Sequence, residues 1–175
     1  MNENLSIREM QPEEMRTVAD YFHRATPEYL ELLGVDPTRV PKQKDFTLRY
    51  AYECRRPLEE RHSFHVIWKL GERPVGFSSI DRIVLNQQAH MHLNIFQSEH
   101  RNAGYGVVFI MKSVEIYFAK FGLRRIVCEP NAFNVAPNRT LQRAGFKYVK
   151  TYMTVPGPLS YHQAVTRWLL EKPPL

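Results

Sequence analysis

The chain has 175 residues, of which 43% are hydrophobic and 24% charged, the balance of a soluble globular protein with room for one full-sized core. Its net charge is +6, but the lysines and arginines are scattered rather than gathered into a basic run, which argues against a nucleic-acid-binding protein. No apolar run approaches a membrane span, the start Met1-Asn-Glu-Asn-Leu carries no secretory-type apolar stretch, and the two cysteines, Cys54 and Cys128, lie far apart. These features read as a cytoplasmic protein with free thiols, independent of any membrane.

In chain order, Leu5–Met10 reads as a short strand. Gln11-Pro12-Glu13-Glu14 then opens a helix running to about Arg24, its acidic residues suiting a first turn. The stretch 26–58 is helical in pieces, interrupted by Pro27, Gly34, Pro37, Pro41 and Pro57, and is rich in Tyr29, Phe46, Tyr50 and Tyr52. Phe64–Leu70 and Val75–Leu85 are β-branched and aromatic around the turn Gly71-Glu72-Arg73-Pro74, a hairpin signature. Ala89–Phe96 alternates, with Ala89, Met91, Leu93 and Ile95 on one face and His90, His92, Asn94 and Phe96 on the other. Val107, Ile110, Met111, Val114, Phe118 and Phe121 form a helical stripe stopped at Gly122. Arg124–Glu129 is a strand, so the strand–helix–strand unit implies parallel pairing. A short helix over Asn138–Ala144, a strand over Lys147–Val155 and a final segment Gln163–Leu170, favoured as strand over helix, complete the chain. No repeat or compositional break divides it, so 1–175 reads as a single domain.

Two segments carry the chemistry. Arg101-Asn102-Ala103-Gly104-Tyr105-Gly106 stands between a strand and a helix. Its glycines let backbone N–H groups approach a ligand, and the helix behind it aims its free N–H groups at the same place, a cradle for phosphate. Glu129-Pro130-Asn131-Ala132-Phe133-Asn134 precedes the short helix that ends in Leu141-Gln142-Arg143-Ala144-Gly145-Phe146. In this order and on these elements, the two segments resemble the GNAT superfamily of acetyl-coenzyme-A-dependent N-acetyltransferases, most clearly over 62–155.

The resemblance implies an α/β (α+β) fold: a mixed central sheet of about six to seven strands flanked by helices, with a splayed parallel pair that binds coenzyme A. It implies acetyl-CoA as co-substrate, its pyrophosphate on Arg101, Asn102, Ala103, Gly104, Tyr105 and Gly106, and its pantetheine arm along Asn94, Ile95 and Phe96 beside Asn134 and Asn138. Asn134 and Asn138 read equally well as loop or helix caps. The acceptor would be an amine of a small molecule or peptide, and a homodimer is common in the family. His90 stands where several members carry a glutamate base, with His92 two residues on; both fit a base or proton relay, or simple hydrogen bonding in a half-buried sheet. Glu129 is a second candidate base, or a strand-end carboxylate. The pattern departs from the family at Leu141, where many members have a tyrosine acid, leaving water, Tyr148, Tyr152 or no group for that role. A non-catalytic acyl-CoA-binding module therefore stays open as the alternative. Pro137 departs from the branch that acetylates ribosomal-protein N-termini. Acceptor specificity is expected from 20–60 and 156–162.

Overall fold

The computed structural model describes residues 4–96 and 105–173. Seven strands form one sheet: β1 (Leu5–Glu9), β2 (Ser63–Leu70), β3 (Arg73–Val84), β4 (Gln88–Ile95), β5 (Arg125–Cys128), β6 (Lys147–Thr154) and β7 (Gln163–Glu171), in the spatial order β1-β2-β3-β4-β5-β7-β6. The helices are α1 (Met15–Arg24), α2 (Pro27–Leu33), α3 (Gln43–Arg55), α4 (Tyr105–Phe121) and α5 (Val135–Arg143). All pairings are antiparallel except β4 with β5, where Gln88 stands opposite Arg125 and Met91 opposite Cys128. The last segment is a strand inserted between β5 and β6.

The sheet carries a core on each face. Towards α4 and α5, Phe64, Val66, Trp68, Ile80, Met91, Phe109, Tyr117 and Leu141 pack together. Ile67 and Phe77 turn to the other face and meet Met15, Val18 and Phe22 of α1 and Tyr50 of α3. α1 achieves this with Met15, Val18, Ala19 and Phe22 buried on one stripe. The turn before it, Pro12–Glu14, is 3₁₀ and is closed by a reciprocal Gln11–Glu14 capping box. Thr26 caps α2 through the Tyr29 N–H, and Gly34 ends it in the left-handed conformation (φ 72°). A side chain at Gly34 would collide with Gln163, whose Nε2 donates to the Gly34 carbonyl at 2.7 Å.

Two boundaries differ from the sequence reading. α5 begins at Val135 rather than Asn138, because Pro137 falls in the first turn, where a missing N–H breaks no helical bond. Asn138 instead turns its amide back to the carbonyls of Asn134 (2.7 Å) and Asn131 (3.0 Å). β5 is shorter than 124–129 and ends at Cys128 while β4 continues to Ile95. The parallel pair therefore opens beyond Met91. No helix among the described residues is long and apolar enough to cross a membrane.

Candidate active site

The opening between β4 and β5 leads into a cavity of about 360 Å³ on the α1/α3 face of the sheet. The alternation of β4 sends His90, His92 and Asn94 towards this face, while Ala89 and Met91 enter the opposite core. Neighbouring strands add to the same floor: His65 on β2 pairs with Ser79 on β3, and Ser79 with His92 on β4. Asp81, in register with His90, reaches diagonally to His92, with Oδ2 3.2 Å from Nε2. The β3–β4 register shifts between Asp81 and Val84, and Arg82 in that bulge takes a positive φ of 48°. From there Arg82 Nη2 donates to the Val155 carbonyl at 3.3 Å, holding the end of β6 beside the site. The Pro156-Gly157-Pro158 loop closes over His92, and a Cβ at Gly157 would lie 3.0 Å from His92 Cε1, so a side chain there would push on the imidazole ring.

Glu129 sits just past β5. Tyr152 Oη and Arg167 Nε (2.6 Å) both donate to its Oε1, and Arg167 Nη2 donates to Tyr152 Oη. Burial pushes the Glu129 carboxyl up, but the Tyr152 hydrogen bond and the Arg167 ion pair outweigh it and hold the group below the usual carboxylate range. An ionised carboxylate committed to arginine is a weak proton acceptor. The same neighbours work in reverse on Tyr152, where burial and the bond to Glu129 raise the phenol and keep it protonated. His90 Nδ1 lies 3.5 Å from Arg82 Nη1 and 3.7 Å from Glu129 Oε2. Burial and then the Arg82 charge hold His90 below the ordinary histidine value, in the neutral form near pH 7. For Asp81, burial is outweighed by His92, Arg82 and His90, so it too is held low and ionised. Burial takes His65 down to about 4, hence neutral, and Cys128 up to about 12, hence no thiolate nucleophile.

Among the described residues, the buried side-chain atoms without a hydrogen-bond partner are His65 Nδ1, Asp81 Oδ1, Glu129 Oε2 and His92 Nε2, the last lying within ion-pair distance of Asp81 Oδ2 but outside hydrogen-bond geometry. All four residues line this one cavity. Buried polar groups are normally satisfied, so their convergence makes this cavity the candidate site.

The remaining expected site residues separate into groups. Arg101, Asn102, Ala103 and Gly104 lie outside the described residues; Tyr105 and Gly106 form the first turn of α4. Asn94 accepts from Tyr21 Oη at 3.3 Å and lines the cavity. Phe96 donates its N–H to the Val75 carbonyl, so strand alternation turns the Leu93 N–H, not that of Phe96, towards the open side. Ile95 stands opposite Gly76 at the end of β4. Asn134 is the α5 N-cap residue yet makes no side-chain cap bond, and it lines the cavity. Asn138 is spent on structure: besides the two carbonyls it accepts the Trp168 indole N–H at 2.7 Å. Leu141 is fully buried in the core, and Tyr148 lies on exposed β6, its hydroxyl 3.3 Å from Thr151. Asp81, His65, Arg82 and Arg167 were missed by sequence reasoning. Their one local signal was an acid on the strand next to a His-x-His strand, and the sheet register alone converts that into contact.

A sheet with one parallel pair that opens onto a histidine–carboxylate floor is the architecture of an acyltransferase. A family model described as an acetyltransferase (GNAT) domain matches residues 39–154, and the chain belongs to that family. No curated protein sequence matches it significantly. Among solved structures, spermidine N-acetyltransferase from Vibrio cholerae in complex with CoA and spermine superposes with a TM-score of 0.78 at 13% identity, over 97% of this chain and 96% of that one. The ribosomal L7/L12 alpha-N-protein acetyltransferase in complex with coenzyme A gives 0.76 at 14% identity, over 95% and 93%. Aminoglycoside acetyltransferase AAC(6')-Ib in complex with coenzyme A gives 0.72 at 14%, over 97% and 95%. At these identities the likeness is one of fold.

Proposed function

We propose that the protein transfers an acetyl group from acetyl-CoA to a primary amine of a small molecule or peptide, by direct attack in a ternary complex. The observation that carries this reading is the β4–β5 opening beyond Met91 and Cys128, which leads straight to the His92–Asp81 pair. Acetyl-CoA fits the opening: the Leu93 N–H on the edge of β4 meets the pantetheine amides, with Asn94, Ile95 and Phe96 alongside and Asn134 across the cavity. The start of α4 at Tyr105 and Gly106, with Arg101, Asn102, Ala103 and Gly104 before it, takes the pyrophosphate.

The amine nitrogen bonds to the thioester carbonyl carbon and the carbon–sulfur bond breaks. His92 accepts the proton released by the amine and passes it to solvent, while ionised Asp81 balances the imidazolium. The departing thiolate takes its proton from water, since Leu141 offers none and Tyr152 is tied to Glu129 and Arg167. His90, neutral beside Glu129, serves as a relay, and Glu129 and Asn138 act as positioning residues. The same reading puts the enzyme in the cytoplasm, and free thiols at Cys54 and Cys128 support that.

Two measurements test it. Acetyl-CoA should raise the melting temperature by mass action, and an amine panel should release free thiol. The buried leucine at 141 favours one rival, a non-catalytic acyl-CoA-binding module. That rival is established if acetyl-CoA binds and no amine releases thiol.

A further inference from the structure

The chamber above the His92–Asp81 floor is apolar, walled by Val18, Phe22, Val35, Phe46 and Phe77. Its volume of about 360 Å³ is at the small end of ligand pockets, which span ~300–1,000 Å³. Among the described residues three carboxylates line it, and two already hold partners. Glu129 holds Arg167 and Tyr152, and Glu53 accepts from the backbone N–H groups of His62 (2.7 Å) and Ser63 (3.4 Å). Two of them keep a buried oxygen without a hydrogen-bond partner, Asp81 Oδ1 and Glu129 Oε2, but Glu129 is already ion-paired with Arg167 at 2.6 Å, whereas among the described residues no lysine or arginine pairs with Asp81. The one cationic lining residue among those described, Arg49, is exposed and repels a second ammonium.

We propose that the acceptor is a monoamine with an apolar body of about arylalkyl size, its ammonium seated at Asp81 Oδ1 and its body against Phe22, Phe46 and Phe77. Asp81 is the lining carboxylate, among those described, whose charge no lysine or arginine meets, and it satisfies one ammonium. A second ammonium along the same molecule would be stripped of water between phenylalanines, where the other lining carboxylates already hold arginines. An apolar body loses nothing polar on entry and gains by leaving water. A polyhydroxylated aminoglycoside exceeds the chamber in both size and polarity. This inference rests on the acetyl-transfer reading, and it locates the specificity of that site in Asp81 and the aromatic wall.

The test compares phenethylamine and tryptamine with spermidine and kanamycin as acceptors, reading kcat/KM by thiol release and, separately, amine binding to the CoA-loaded protein by calorimetry. The arylalkylamines should exceed the other two by about tenfold or more. Asp81→Asn should weaken phenethylamine binding by about tenfold while CoA affinity, which reports folding, stays unchanged. Leu33→Glu, which adds a carboxylate to a half-buried part of the wall, should shift the preference towards spermidine by about fivefold. Spermidine or kanamycin matching the arylalkylamines would overturn the proposal, as would a preference unmoved by both variants. If acetyl-CoA binds but no amine releases thiol, the acetyl-transfer reading fails by itself. The calorimetry then decides this one: phenethylamine binding that Asp81→Asn abolishes upholds it, and absence of phenethylamine binding refutes it.

Discussion

The two faces of the central strands are built to opposite rules. Towards α4 the face is apolar and, among the described residues, its buried polar side chains are answered: Trp68 Nε1 donates to Ser113 Oγ, Ser113 to the Phe109 carbonyl, Tyr117 Oη to Ser78 Oγ, and Ser78 to the His92 carbonyl. Towards α1 and α3, the neighbours of those same residues, Ser79, Asp81 and His92, floor a cavity, and the unanswered atoms collect there. Consecutive residues of β3 and β4 thus divide the work, one set holding the backbone of His92 in place and the other leaving its ring available. Saturated hydrogen bonding marks the scaffold, and unsaturated hydrogen bonding marks the chemistry.

Substitutions on the two faces should separate stability from activity. The largest effect is expected from Phe109→Ala on the apolar face, which removes a fully buried ring stacked 5.0 Å from Trp68; it should cost about 3–5 kcal/mol in urea unfolding. His92→Ala should lower kcat by about 10²–10³-fold in the thiol-release assay and move the melting temperature little, because the ring faces the cavity. Equal losses of activity and stability in that variant would erase the division between the faces. Next is acid. Asp81 and Glu129 are both held below their ordinary values, so the stability they contribute is complete above the unfolded carboxylate range, about pH 4, and is lost as pH falls through their folded values. A melting-temperature series from pH 7 to pH 3 should therefore fall more gently in Asp81→Asn than in the parent protein. The smallest change is Tyr117→Phe, which removes the hydroxyl donated to Ser78 while leaving Ser78 on the His92 carbonyl; it should cost about 1 kcal/mol with activity within about twofold.

Much of the scaffold was readable because periodicity is local. The β2–β3 hairpin, the alternation of β4, the α4 stripe and the final strand all follow from side-chain spacing within one element, and all appear within a few residues of expectation. The site was readable only as far as it is local. His90 and His92 share a face because they are two apart on a strand, and Asn134 is near the opening because it follows β5. Asp81 could not be read, because its approach to His92 depends on the β3–β4 register and on the bulge at Arg82. Glu129 read as a candidate base because nothing near it in sequence announces Arg167 or Tyr152, which arrive from β7 and β6. Asn138 shows the same blind spot, since Trp168, also on β7, claims its carbonyl.

The position of β7 has a consequence for how the molecule is made. It comes after the other six described strands in chain order, yet it lies between β5 and β6 and brings Gln163, Arg167 and Trp168 to the surroundings of the site. Until it arrives, β5 has one neighbour, β6 has none, and Glu129 is a carboxylate without its guanidinium. A nascent chain halted before Gln163 has every described residue that lines the pocket but lacks the bonds from Gln163 to Gly34 and Asn131 and from Arg167 to Glu129 that hold that lining. The surroundings of the pocket are thereby complete only once β7 has been made, and a product truncated before it would carry an open sheet edge that exposes it to quality control.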